Sequence, residues 1–83
     1  MDLAGLRTAK KRVVVKQTIR ALEADSVALV YLAGDADRQV TAEVIALCIV
    51  KDVEIRRVDT RAELGSACGI DVGAAVVAVL KQQ

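Results

Sequence analysis

The run Lys16-Gln17-Thr18, with Arg20 one helical turn beyond Lys16, offers cationic and amide donors at a spacing that one helix can present together. Such groups suit an anionic or electron-rich partner. Lysine can donate to guanine O6 and N7, glutamine can pair with a base edge from the next position, and arginine can reach a phosphate. The setting sharpens the point. A helix opening at Lys16 follows Val13-Val14-Val15, so no Ser, Thr, Asp or Asn stands ready to accept from its first N–H groups. Lys16 also adds positive charge where the helix dipole is already positive, at a cost of about 0.3–1 kcal/mol. An anionic partner reverses both penalties. An ordinary surface helix with a snorkelling lysine would carry the same residues.

A second candidate patch lies far along the chain, at Gly69-Ile70-Asp71-Val72-Gly73. Loops face water and carry polar side chains. A glycine-bounded bend bearing Ile70 and Val72 is apolar where it should not be, which marks it as a docking surface.

Bond-breaking chemistry finds little support. The chain has no histidine, so the commonest general base is missing. Cys48 and Cys68 belong to no C-x-x-C pair, and two thiolates do not complete a tetrahedral zinc site. Both read as buried small hydrophobes. Asp35, Asp37 and Glu43 could form a hard-cation site, but Asp-x-Asp ahead of a helix more simply caps it. Gly65, Gly69 and Gly73 lie between a helix and a strand, the reverse of the order that dinucleotide and phosphate loops require. The chain reads as non-enzymatic, with no cofactor and no metal.

These candidates must be positioned by a small set of elements. The pattern predicts a helix over Asp2–Lys11, an edge strand over Arg12–Val15 and a helix over Lys16–Ala24 with Val15, Ile19 and Leu22 as its stripe. Val27–Ala33 is a continuous apolar strand, as in a sheet covered on both faces. After the Gly34-Asp35-Ala36-Asp37 turn comes a helix over Arg38–Lys51, then a strand over Val53–Val58. Thr60-Arg61-Ala62-Glu63 is a capping box opening a helix that ends near Gly69, and Ala74–Leu80 is the last strand. Alternating helices and strands imply an α/β three-layer α/β/α sandwich with a mixed sheet of about four strands.

Eighty-three residues without proline, repeat or linker make one domain, 1–83. Only Tyr31 is aromatic, so a stacking platform of the kind used by RNA-recognition sheets or single-strand binders is excluded. No apolar run approaches the roughly 18 residues of a membrane helix, and no signal peptide is visible; a cytoplasmic, membrane-free protein is expected. The net charge of +1 hides an asymmetry. Residues 1–20 hold six basic side chains against Asp2 (+5), and residues 21–83 hold six basic against ten acidic (−4). A basic end on an acidic body can mark a nucleic-acid-facing side.

Lys16-Gln17-Thr18-Ile19-Arg20-Ala21-Leu22, together with Leu64-Gly65-Ser66-Ala67-Cys68-Gly69-Ile70-Asp71-Val72-Gly73-Ala74-Ala75, resembles the ribosomal L-seven-Ae family of kink-turn RNA-binding proteins. The likeness is strongest to its short bacterial YbxF-like members. The resemblance implies an α/β/α sandwich whose first motif, Lys16, Gln17, Thr18 and Arg20, lies at a helix start and reads the sheared G·A pairs of a kink-turn. Lys16 and Gln17 would meet guanine edges and Arg20 the backbone. The loop Ile70-Asp71-Val72-Gly73 would cover bases thrown out at the kink. The implied partner is structured RNA, ribosomal or a riboswitch, bound by a monomer. One departure is notable: the family usually carries glycine shortly before Lys-Gln-Thr, where this chain has Val13-Val14-Val15. The usual proline near Arg38 is also absent. The competing expectation, motivated by Val14, is a protein-interaction or ribosome-assembly module of the same fold with weak or lost RNA affinity.

Overall fold

The computed structural model describes residues 5–81. The strand β2 (Val27–Ala33) runs through the middle of the molecule, and its alternation builds two cores. Val30 and Leu32 face one way, joining Ala21, Leu22, Val44, Cys48 and Val76. Tyr31 and Ala33 face the other, joining Leu6, Val58, Leu64, Cys68 and Val77. The first core is covered by α1 (Val15–Glu23) and α2 (Arg38–Lys51), the second by α3 (Arg61–Cys68) and the N-terminal turn around Leu6. The result is the three-layer α/β/α sandwich expected from the sequence.

The sheet holds four strands in the order β1-β4-β2-β3, where β1 is Lys11–Arg12, β3 is Glu54–Val58 and β4 is Val76–Leu80. β2 and β3 are parallel and joined across α2, whereas β4 runs antiparallel to both β2 and β1. The sheet is therefore mixed. Cys48 and Cys68 are both free and buried, in cores on opposite faces of the sheet, so they cannot pair. Burial raises both thiols, which makes each less able to form the reactive thiolate.

Several boundaries differ from expectation for identifiable reasons. The expected helix over Asp2–Lys11 begins outside the described residues. Within them, Gly5–Thr8 forms turns, with the Ala9 N–H donating to the Gly5 carbonyl at 3.1 Å. Pairing with β4 captures the next residues: the Leu80 N–H donates to the Lys10 carbonyl at 2.9 Å, and Lys11 and Arg12 lie opposite Val79 and Ala78. The edge strand expected over Arg12–Val15 is real as an edge but sits earlier and is shorter, because Val15 already belongs to α1 and packs on the first core. β4 starts at Val76 rather than Ala74 because the Ala74 N–H donates to the Arg61 carbonyl at 3.0 Å, away from the sheet.

Candidate functional site

Strand directions decide where the candidate residues meet. β1 leads directly into α1, β2 into α2 and β3 into α3, and these three strands point the same way. All three helix starts therefore lie at one end of the sheet, the carboxyl end of its parallel strands, where open α/β folds place their ligands. β4 runs the other way, so the closing part of the loop that precedes it arrives at that same end, where the Ala74 N–H donates to the Arg61 carbonyl at the start of α3. Both segments also pack on common cores, Val15 and Val76 on the first, Val13 and Ile70 on the second. The two distant segments singled out in the sequence thus share one surface.

The start of α1 is as open as the sequence suggested. Its N-cap is Val14, and no side chain caps it; no acid stands in its first turn. The Thr18 N–H donates to the Val14 carbonyl at 2.9 Å, which closes the first helical bond and leaves the amides before it outside the helical ladder. Lys16, Gln17 and Arg20 are all exposed. Thr18 is not: it is 0% exposed, and its Oγ1 has no hydrogen-bond partner among the described residues. It lies with Val15 and Leu22 on the core-facing side of α1, so its side chain is not presented to a surface ligand. The stripe Val15, Ile19, Leu22 already implied this, since residue 18 falls between 15 and 22 on a helical face.

Val14 itself is 51% exposed, with φ −105° and ψ 138°. That backbone suits any residue, so valine here imposes no conformational strain. What it adds is an apolar side chain at the mouth of the uncapped helix.

The loop is held by its own backbone. α3 ends at Gly69, whose φ of +79° is a left-handed cap that favours glycine, and the Ile70 N–H donates to the Gly65 carbonyl at 3.1 Å. The chain then doubles back along α3 until the Ala74 N–H reaches Arg61. Gly65 permits that close passage, since a Cβ there would collide with the Val72 carbonyl. The two apolar residues of the loop consequently differ. Val72 is 70% exposed, whereas Ile70 is half-buried against the second core. Asp71 and Gly73 are exposed.

The neighbouring helix starts are occupied internally. Asp37 caps α2, accepting from the Gln39 N–H at 2.9 Å, and Thr60 Oγ1 accepts from the Glu63 N–H at 3.1 Å to cap α3. Asp35 reaches across 26 residues: its Oδ1 accepts from the Arg61 N–H at 2.8 Å and pairs with Arg61 Nε at 3.5 Å. That link between loop and distant helix is invisible in sequence. The aspartates considered as cation ligands are thus engaged as caps. Two cations escaped the sequence reading: Arg38 and Arg57 flank a cavity of about 370 Å³ floored by Leu32, Ala36 and Ile45 at the same end of the sheet. The signal for them was topological, since both stand beside the carboxyl ends of parallel strands.

With this geometry in place, comparison with known proteins is informative. The family model for ribosomal protein L7Ae/L30e/S12e/Gadd45 matches residues 5–83. Among curated relatives, an "RNA-binding protein" of Bacillus pumilus is 51% identical over 65 residues, covering 78% of this chain and 79% of that one. RNA-binding protein YbxF of Geobacillus stearothermophilus is 41% identical over 76 residues, covering 92% of this chain and 93% of its own. Among solved structures, a protein of unknown function from Bacillus halodurans superposes with a TM-score of 0.86 at 24% identity, over 95% of this chain and 83% of that one. The Giardia lamblia 15.5kD RNA binding protein gives 0.83 at 23% identity, over 98% and 67%. At these identities the solved structures establish the fold.

Proposed function

This chain belongs to the ribosomal protein L7Ae/L30e/S12e/Gadd45 family, and from that premise we propose that it is a non-enzymatic RNA-binding protein that recognises kink-turn RNA. The reading rests on one observation above the others: the uncapped, lysine-bearing start of α1 and the exposed Val72 of the loop stand at one end of one sheet. Relatives named as RNA-binding proteins support the ligand class. In this reading Lys16 and Gln17 donate to guanine edges of sheared G·A pairs, the free amides of the first turn supply further donors, and Arg20 contacts the backbone. Val72, backed by Ile70, covers bases displaced at the kink, while Asp71 and Gly73 shape the loop. Thr18 contributes by packing beneath the helix start. The protein acts as a single-domain monomer in the cytoplasm, on ribosomal RNA or a riboswitch.

Val14 favours a second reading, a protein-interaction or ribosome-assembly module of the same fold with weak or lost RNA affinity, because it sets an exposed apolar side chain at the N-cap of α1. A gel-shift titration separates the two. Kink-turn RNA should bind more tightly than the same RNA with its G·A pairs replaced by Watson–Crick pairs, with affinity falling as salt rises. Equal affinity for both RNAs would leave only charge and favour the second reading.

A further inference from the structure

The proposed function uses Lys16 and Arg20 but leaves the rest of the basic N-terminal segment idle. The structure gathers Lys10, Lys11 and Arg12 at the opposite end of the sheet, while Arg7 lies beside Gly69. Lys10, Lys11 and Arg12 line an open groove of about 840 Å³ together with Lys81, Ser26 and Asp25. Four basic residues thus face a single acid among the described residues of the groove. That acid is already engaged, its carboxylate lying 3.1 Å from Lys51 Nζ. Lys11 Nζ is tied down as well, donating to the Arg7 carbonyl at 2.9 Å and the Ala9 carbonyl at 3.4 Å. Lys10, Arg12 and Lys81 are exposed.

We propose that this groove is a second RNA contact, a sequence-independent seat for the sugar-phosphate backbone of a stem flanking the RNA held at the α1 start. Three features point to phosphodiesters. The first is charge complementarity. The negative end of α1 also lies near, and would account for a cation there, but not for this many. The second is spacing: Lys10 and Arg12 lie two residues apart on an extended edge, about 6.6 Å at strand rise, comparable to successive phosphates along one nucleic-acid strand. The third is access, because β1 is an edge strand whose outer side carries no neighbouring strand among the described residues. Among the described residues the groove has no aromatic side chain and no carboxamide to read a base, so it adds affinity without sequence preference.

The two surfaces are separate. β4 runs from one to the other over five residues, about 16 Å, roughly twice the distance over which physiological salt screens a charge. RNA that ends close to the kink cannot use the groove; RNA with a long stem can.

The inference rests on the proposed RNA binding, and the test keeps the two apart. The double variants K10Q/K81Q and K10E/K81E change only exposed side chains, and circular dichroism checks their fold. Each is titrated against a kink-turn RNA with short stems, the same RNA with one stem lengthened by two helical turns, and a plain RNA duplex of that length. Wild-type protein should bind the long-stem RNA several-fold more tightly than the short one. K10Q/K81Q should reduce that advantage and K10E/K81E abolish it, with short-stem affinity unchanged. The log–log salt slope on long-stem RNA should fall by about 0.9 for each phosphate deprived of its lysine, near 2 for the pair. If kink-turn recognition is wrong but the groove is right, the plain duplex still separates wild type from variants. Variants that keep the wild-type ratio of long-stem to short-stem affinity, or that lose short-stem affinity in equal measure, overturn the groove.

Discussion

Two helices that start at the same end of the sheet are finished in opposite ways. α3 opens with the Thr60 hydroxyl accepting one amide, the Asp35 carboxylate accepting another, and Glu63 in its first turn to answer the dipole. α1 opens on Val14, with no cap, no first-turn acid and an exposed lysine. Fold and dipole are common to both, so the difference lies in a few side chains. A start completed inside the protein contributes about 1 kcal/mol of stability. A start left incomplete forgoes that and keeps its donors for something outside.

The contrast is sharpened most by mutating the open start. Lys16→Ala and Gln17→Ala should each weaken kink-turn RNA binding by about 1–3 kcal/mol if they meet base edges, with melting temperature unchanged or slightly higher. Wild-type affinity in both would move the site elsewhere. The loop offers a parallel test. Val72→Asp should cost affinity several-fold while leaving thermal stability alone, because Val72 is 70% exposed. Ile70→Asp should lower both, since Ile70 leans on the second core. Equal melting temperatures for the two variants would contradict their different burial.

The closed start should respond in stability instead. Thr60→Ala removes a cap worth about 1 kcal/mol, which in a chain of this size lowers Tm by roughly 4–8 °C, and RNA affinity should hold. An affinity loss matching that of Lys16→Ala would erase the distinction between the two helices. A smaller and more pointed change converts one start into the other. Val14→Asp installs a cap and an acid on α1, and should raise stability by about 0.5–1 kcal/mol while weakening RNA binding. If binding is unaffected, the α1 amides are not ligands. The smallest effect expected is that of Thr18→Val. It deletes a buried hydroxyl that has no partner among the described residues, so stability should rise by up to about 1 kcal/mol, and affinity should stay put because residue 18 faces inward.

Much of this was legible in the sequence where local chemistry decides structure. The unbroken apolar run Val27–Ala33 could only be a central strand, and the Thr60–Glu63 spacing marked the α3 start before any coordinates. The open α1 start was readable because the signal was a missing residue type, not a distant contact. What failed was decided by pairing. A helix was expected over Asp2–Lys11, yet among the described residues turns give way to ladder bonds to β4 from Lys10 onward, with Leu6 plugging the second core. Ile70 and Val72 looked alike in sequence, and only the passage of the loop over Gly65 separates them. Either aspartate of the Asp35-Ala36-Asp37 turn could cap the helix that follows, and Asp37 does, but the partner of Asp35, 26 residues away, could not be read locally. The basic residues before Lys16 were noticed as charge, while the gathering of Lys10, Lys11 and Arg12 around Lys81 at the far end of the sheet depends on β1 pairing with β4.

The most direct test of the central claim watches the α1 amides themselves. In a titration of isotope-labelled protein followed by amide nuclear magnetic resonance, kink-turn RNA should shift the backbone N–H signals of Val15, Lys16 and Gln17 together with those of residues 70–73. The same RNA with its G·A pairs replaced should leave these signals nearly unmoved. Shifts confined to other surfaces, or equal shifts with both RNAs, would contradict the account.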